Sequence, residues 1–172
     1  GKSGLAVNGN WRLRVRDTVA VESGQLICWS LAICQPQQFT PPPGTLPARV
    51  DDLSFNDVAI PVSGVIAPLG KVRVALHITH TWVEDLDISL TSPDGTTVNL
   101  SSDNGGSFNN YGFSCSAPTV FDDESFTAIT AATPMTPFAT GTFRPEDPLA
   151  LFAGKSGAQV NGDWILHIAD DE

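Results

Sequence analysis

The sequence predicts an all-β chain folded as a β-sandwich or jelly roll, and three observations carry that expectation. The 172 residues include Gly 15 and Pro 13, with few helix formers gathered in any window. Short segments alternate apolar and polar residues with the period of two that puts one face of a strand inside. Turn and loop clusters separate these segments at regular spacing.

The elements follow in order. Trp11, Leu13 and Val15 alternate with Arg12, Arg14 and Arg16, a half-buried strand with an arginine outer face. Ile27, Trp29, Leu31 and Ile33 form a second apolar face, on a strand apolar on both sides and so expected to be central. Residues 35–49, QPQQFTPPPGTLPAR, read as a stiff proline-rich linker. The linker divides a head (1–34) from a body (50–172). In the body, 53–62 predicts a weak strand ending at Pro61, and Val65-Ile66 a short one. Val72, Val74, Leu76 and Ile78 predict a strong strand. Leu86, Ile88 and Leu90 continue the core face, with Asp85, Asp87 and Ser89 turned the other way. Asp94-Gly95 turns the chain, and Val98 and Leu100 return it. A long polar loop, 101–119, then leads to TVFDDESF.

Charge narrows the partners. The formal net charge is -10, which disfavours nucleic acid and anionic membranes and suits divalent cations or basic surfaces. Residues 1–34 carry four basic and two acidic side chains, and residues 35–172 carry five and 17, so a head of +2 precedes a body of −12. No apolar run is long enough to span a bilayer. Without an initiator Met or a signal-peptide pattern, the chain reads as mature or excised. Three cysteines are too few for a disulfide scaffold and lack zinc-site spacing. Cys28 and Cys34 sit about 20 Å apart on an extended strand, too far to bridge each other. Either is able to pair with Cys115, which leaves one thiol over.

The two ends of the chain repeat each other. Gly1, Lys2, Ser3, Gly4, Val7, Asn8, Gly9, Trp11, Leu13 and Asp17 recur 153 residues later as Gly154, Lys155, Ser156, Gly157, Val160, Asn161, Gly162, Trp164, Leu166 and Asp170. A period of that length is domain-sized and indicates an array of domains. The chain spans one full period plus a short overlap.

The segments HTWVEDLDISLTSPDGT, VFDDES and GTFRPEDPLALFAGKSGAQVNGDWILHIAD resemble the P domain, or Homo B domain, that follows the catalytic domain of subtilisin-like proprotein convertases. The likeness runs from about Val50 to the end, and the head supplies what resembles the family's closing segment, NWRLRVRD and GQLICWSLAI. The resemblance implies an eight-stranded jelly-roll-like sandwich, a secreted or surface location, a role beside a protease or as an independent module, and calcium. It carries Asp85, Asp87, Asp122 and Asp123 over as the acidic positions of the DLDI and FDDE motifs. The order of parts departs from the family pattern, because the closing strands precede the body.

Hard cations take several carboxylate and carbonyl oxygens, and clustered carboxylates repel until a cation neutralises them. Asp85 and Asp87 share a strand face, and Asp122-Asp123-Glu124 is expected to meet them there as a calcium clasp. Asp103, Asn104 and Asn109 offer a second, weaker set. His77 and His80 lie three apart on a strand and face opposite ways, so they form no pair, and His80 is expected to hydrogen-bond near Trp82. Nucleophile elbow, protease triad motif and HExxH are absent, and GKSG lacks the strand–loop–helix setting of a phosphate loop. No enzymatic role is expected. A carbohydrate-binding reading rests only on Trp82 and Tyr111.

The repeat suggests assembly. The body has no counterpart of residues 20–34, which would fall at 173–187, so its sandwich is expected to expose an open edge that such a strand fills. The segment either folds back within the same chain, giving a circularly permuted monomer, or inserts head-to-tail into a copy, which gives a filament when it does not close. Covalent tandem units are the other form of the same array. In either form Cys34 ends the inserted strand, within reach of Cys115 of the completed body. The expected function is therefore an extracellular, calcium-binding structural or adhesive module. The alternative is an accessory domain stabilising a secreted subtilisin-like protease. The expected partners are neighbouring copies or units, a surface ligand or an attached protease, with no nucleic acid and no membrane insertion.

Overall fold

The architecture was obtained as a computed structural model that describes residues 37–171. The expectations placed on Ile27, Trp29, Leu31, Ile33 and Cys34 lie outside the described residues. The described strands are β1 (Phe55–Val62), β2 (Val74–Leu76), β3 (Leu86–Thr91), β4 (Thr97–Ser101), β5 (Thr119–Phe121), β6 (Gly141–Phe143) and β7 (Gly162–Asp170). They form a four-stranded sheet in the order β1-β7-β3-β4 and a three-stranded sheet in the order β2-β5-β6. All pairings are antiparallel except β5 with β6. One apolar core joins the two sheets, with Leu86, Ile88, Leu90, Val98, Leu100, Trp164 and Ile168 from the first and Leu76 and Phe121 from the second. The described residues therefore form an all-β sandwich. Among the described residues no helix is long and apolar enough to cross a membrane.

Alternation explains the faces. β3 buries Leu86, Ile88 and Leu90 and turns Asp87 and Ser89 away, as its pattern predicts. Gly95, at φ 83°, lets the chain reverse into β4, where Val98 and Leu100 are fully buried. β7 is a central strand paired on both sides, and it buries Trp164 and Ile168.

Two elements differ from expectation. Val65-Ile66 is not a strand. The Val65 backbone instead exchanges two hydrogen bonds with the Asn161 side chain, and Ile66 is 97% exposed. The strong 72–79 pattern yields only three strand residues plus a bridge from Ile78 to Tyr111, because β5 pairs with only that short stretch. The proline-rich segment from Gln37 groups with the body, and Phe39 packs against the core.

The long loop 101–119 is held from inside. Tyr111 is fully buried, meets Phe138 edge-on at 5.2 Å and shares a 2.9 Å hydrogen bond with Ser101. Burial raises its phenol well above the usual value, so the hydroxyl stays protonated. A core tyrosine presents no face to a sugar, which removes one of the two residues behind the carbohydrate-binding reading. Trp82 remains about half exposed.

Candidate functional site

The β3 start is acidic because strand alternation puts Asp87 on the outer face while a 3₁₀ turn, Val83–Asp85, brings Glu84 and Asp85 in just before it. The end of β7 lies alongside, since Leu86 pairs with Asp170 and the Asp171 amide donates to the Asp85 carbonyl at 3.1 Å. Burial, then the Asp170 charge, pushes the Asp85 carboxyl above its ordinary value. Burial raises Asp103 in the same way, followed by the charges of Asp87, Asp171, Glu146 and Glu84. Asp170 is buried at 5% exposure. Its Oδ2 meets His80 Nε2 at 2.9 Å, while its Oδ1 is buried with no hydrogen-bond partner among the described residues. An unpaired buried carboxylate oxygen is costly. His80 Nδ1 lies 2.7 Å from the Trp82 carbonyl, so the histidine ties the acidic corner to β7 as an orienting group. His77 turns to the Tyr111 carbonyl, and the two histidines form no pair.

The second half of the expected clasp lies elsewhere. Asp122 follows β5 in the other sheet and is nearly buried. Lys71 and Arg73 reach it at 2.7 and 2.8 Å. Burial alone would raise its carboxyl, but the Lys71 hydrogen bond, the Glu124 amide and the charges of Lys71 and Arg73 outweigh this and hold it below the ordinary value. Asp123 accepts the Leu149 and Ala150 amides at 2.9 and 2.7 Å and so caps the 3₁₀ turn Leu149–Phe152. Asp87 accepts from the Ser102 hydroxyl. Asp85, Asp87, Asp122 and Asp123 are thus not brought together, and among the described residues no three metal-ligating side chains form a cluster. Asp122 and Asp123 already have the partners that a cation would replace. Of the weaker set, Asn104 donates to Ser101, Ser102 and Glu146. Cys115 is exposed, and its proposed partner Cys34 falls outside the described residues.

Sequence reading missed Asp170 and Asp171 as members of the acidic corner. The signal was present in the repeat, where Asp17 recurs as Asp170. It also missed the role of Lys155 in GKSG, which binds Asp94 and Thr96 and so clamps the β3–β4 turn. That lysine is used in the fold. The Lys155 hydrogen bond, then that of Ser92, holds the Asp94 carboxyl well below the ordinary range. A carboxyl depressed in the folded state stabilises above its unfolded pKa of about 3.9 and loses that contribution as pH falls. The stability gap between the parent and Asp94→Asn is therefore expected to be constant above about pH 5 and to narrow below about pH 4, read by thermal melts across pH.

With this geometry in place, comparison with known families is decisive for one stretch. Residues 69–130 match the proprotein convertase P-domain. That stretch is P-domain-like. It runs from the approach to β2 past β5 and contains Asp85, Asp87, Asp122 and Asp123. No curated protein and no solved structure gives a significant match to the chain. The P domain is an accessory, non-catalytic module associated with subtilisin-like convertases, and the sandwich is the architecture that the resemblance implied.

Proposed function

We propose that this chain is an extracellular, non-enzymatic P-domain-like module that takes up calcium at its acidic corner and joins its neighbours head-to-tail as a structural or adhesive unit. The observation that carries the metal reading is the buried, unpartnered Oδ1 of Asp170 beside a carboxyl, Asp85, that is raised by burial and by Asp170 itself. Asp85 and Asp170 would hold the ion, with Asp87, Asp103 and Asp171 as nearby negative charge. Calcium there would neutralise the mutual repulsion and tie the start of β3 to the end of β7. The body charge of −12 against a head of +2 supports joining one copy's head to another's body.

A second reading is favoured by the family match itself. As an accessory domain, the same module would stabilise a secreted subtilisin-like protease.

The test is thermal melting and sedimentation of the full chain with calcium and with chelator. Calcium at about 100 times its Kd is expected to raise the melting temperature by about 5–10 °C. Asp85→Asn and Asp170→Asn are expected to remove most of that gain, and Asp122→Asn to keep it. A melting point indifferent to chelator rules out the metal. A chain that sediments as a monomer at all concentrations rules out self-assembly.

A further inference from the structure

Each sheet of a sandwich has two edges, and an edge strand with free amides and carbonyls accepts another strand unless something covers or blocks it. Among the described residues, two of the four edges are covered and a third is interrupted by a proline. Along β4, the Asp147 and Glu146 amides donate to the Asn99 and Leu100 carbonyls, and the Asp147 carboxylate accepts the Asn99 amide. Beside β6, Arg144 exchanges backbone bonds with Thr127 and Ile129, and the Ser125 hydroxyl donates to the Thr142 carbonyl.

β1 is blocked by its sequence. The Asp170 amide donates to the Ser54 carbonyl, and counting in twos along the register makes Asn56, Val58 and Ile60 the residues bonded to β7. Phe55, Asp57, Ala59 and Pro61 therefore turn their backbone groups to the free side, where Pro61 has no N–H to offer.

β2 is open. The Gly141 amide donates to Pro118, and the Asp122 amide to Phe143, so the even-numbered residues of β5 face β6. Thr119 and Phe121 then face β2 and pair with Leu76 and Val74. Arg73, Ala75 and His77 consequently present their backbone groups to a side where no described strand pairs. The inner face next to this edge is under-covered. Val72, Val74 and Ile78 are only half-buried although they pack on the core.

We infer that the free edge of β2 is the docking site for residues 26–33 of a second copy of this chain, a deepening that rests on the assembly reading above. Ile27, Trp29, Leu31 and Ile33 supply an apolar row for the half-buried inner face, and Cys28, Ser30 and Ala32 fall on the other side of that strand. The second copy is chosen by the repeat. Residues 9–17 correspond to 162–170, so 26–33 follow the equivalent of β7 and belong to the body that precedes them in an array, not to the one they lead into. The basic head above the acidic body favours the same encounter.

Ala75→Pro in the full chain tests the edge. Its N–H points outward, so the substitution removes an outward donor and no bond to β5. The variant is expected to need at least a tenfold higher concentration to assemble, with its circular dichroism unchanged, while Ala59→Pro on β1 assembles as the parent does. If Ala75→Pro assembles like the parent, the edge is wrong and the assembly reading survives. A monomeric parent overturns both. Should Ala75→Pro fail to fold, Ala75→Cys decides the question, with Cys34 and Cys115 changed to serine and position 28, 30 or 32 carrying the partner cysteine. Covalent dimers and higher species on a non-reducing gel are the expected result. A disulfide within one chain, or none at any of the three positions, overturns the proposal.

Discussion

Trp164→Ala is expected to cost about 3–5 kcal/mol of folding free energy, the range for deleting a large buried aromatic side chain. Trp164 stands in the central strand of the four-stranded sheet at 7% exposure. Its ring meets Phe152 at 4.8 Å, tilted 66°, and its Nε1 donates to the Val160 carbonyl at 2.8 Å. Truncation therefore opens a cavity and leaves a carbonyl short of a partner at once. Trp164→Phe separates the two effects. It restores most of the packing and is expected to lose only about 1–2 kcal/mol, mainly the hydrogen bond. Urea denaturation followed by circular dichroism reads both values. A loss below about 1 kcal/mol for the alanine variant would show that the core is not organised around this strand.

Gly112→Ala is the second large effect, on the order of 2–4 kcal/mol from a left-handed backbone together with overpacking. Gly112 holds φ at 70°, and a Cβ there would sit 2.7 Å from the Thr119 amide nitrogen and 2.9 Å from the Pro118 carbonyl carbon. Those contacts are backbone and cannot swing aside. The Gly112 amide also donates to Phe138, which locks the long loop onto the neighbouring segment. Gly95→Ala is the informative contrast. It has a similar φ of 83° with open space around it, so it pays for strain alone, about 1–2 kcal/mol. Equal losses at the two positions, read by denaturation, would contradict the close approach at Gly112.

The legible parts of the fold share one property. β3 and β4 were readable because each face repeats every second residue within a few positions of chain. Leu86, Ile88, Leu90, Val98 and Leu100 are all buried where that alternation put them. Val65-Ile66 failed for the same reason in reverse. Two apolar neighbours have no alternation to test, and Asn161 gives Val65 a better backbone partner than a strand would. Tyr111 was hidden by its setting in a polar loop, although an aromatic residue in such a stretch is itself a hint of an anchor.

The candidate site was less legible than the fold. Asp85 and Asp122 look equivalent in the sequence, as acidic residues at the ends of apolar runs. In the structure Asp122 is held by Lys71 and Arg73, while Asp85 meets Asp170, a like charge. Asp94 and Lys155 are 61 residues apart and bind each other directly. No local pattern announces a pairing across that distance.

The sequence by itself determined the all-β class, the inner and outer faces of the main strands, the repeated ends and the acidic balance of the body. Each depends on residue type and short-range periodicity, which are written along the chain. Only the tertiary structure decided which carboxylates are already satisfied, which are left crowded at the start of β3, and which sheet edge stays open among the described residues. Those depend on partners that the topology brings from distant segments, where burial and charge act through space.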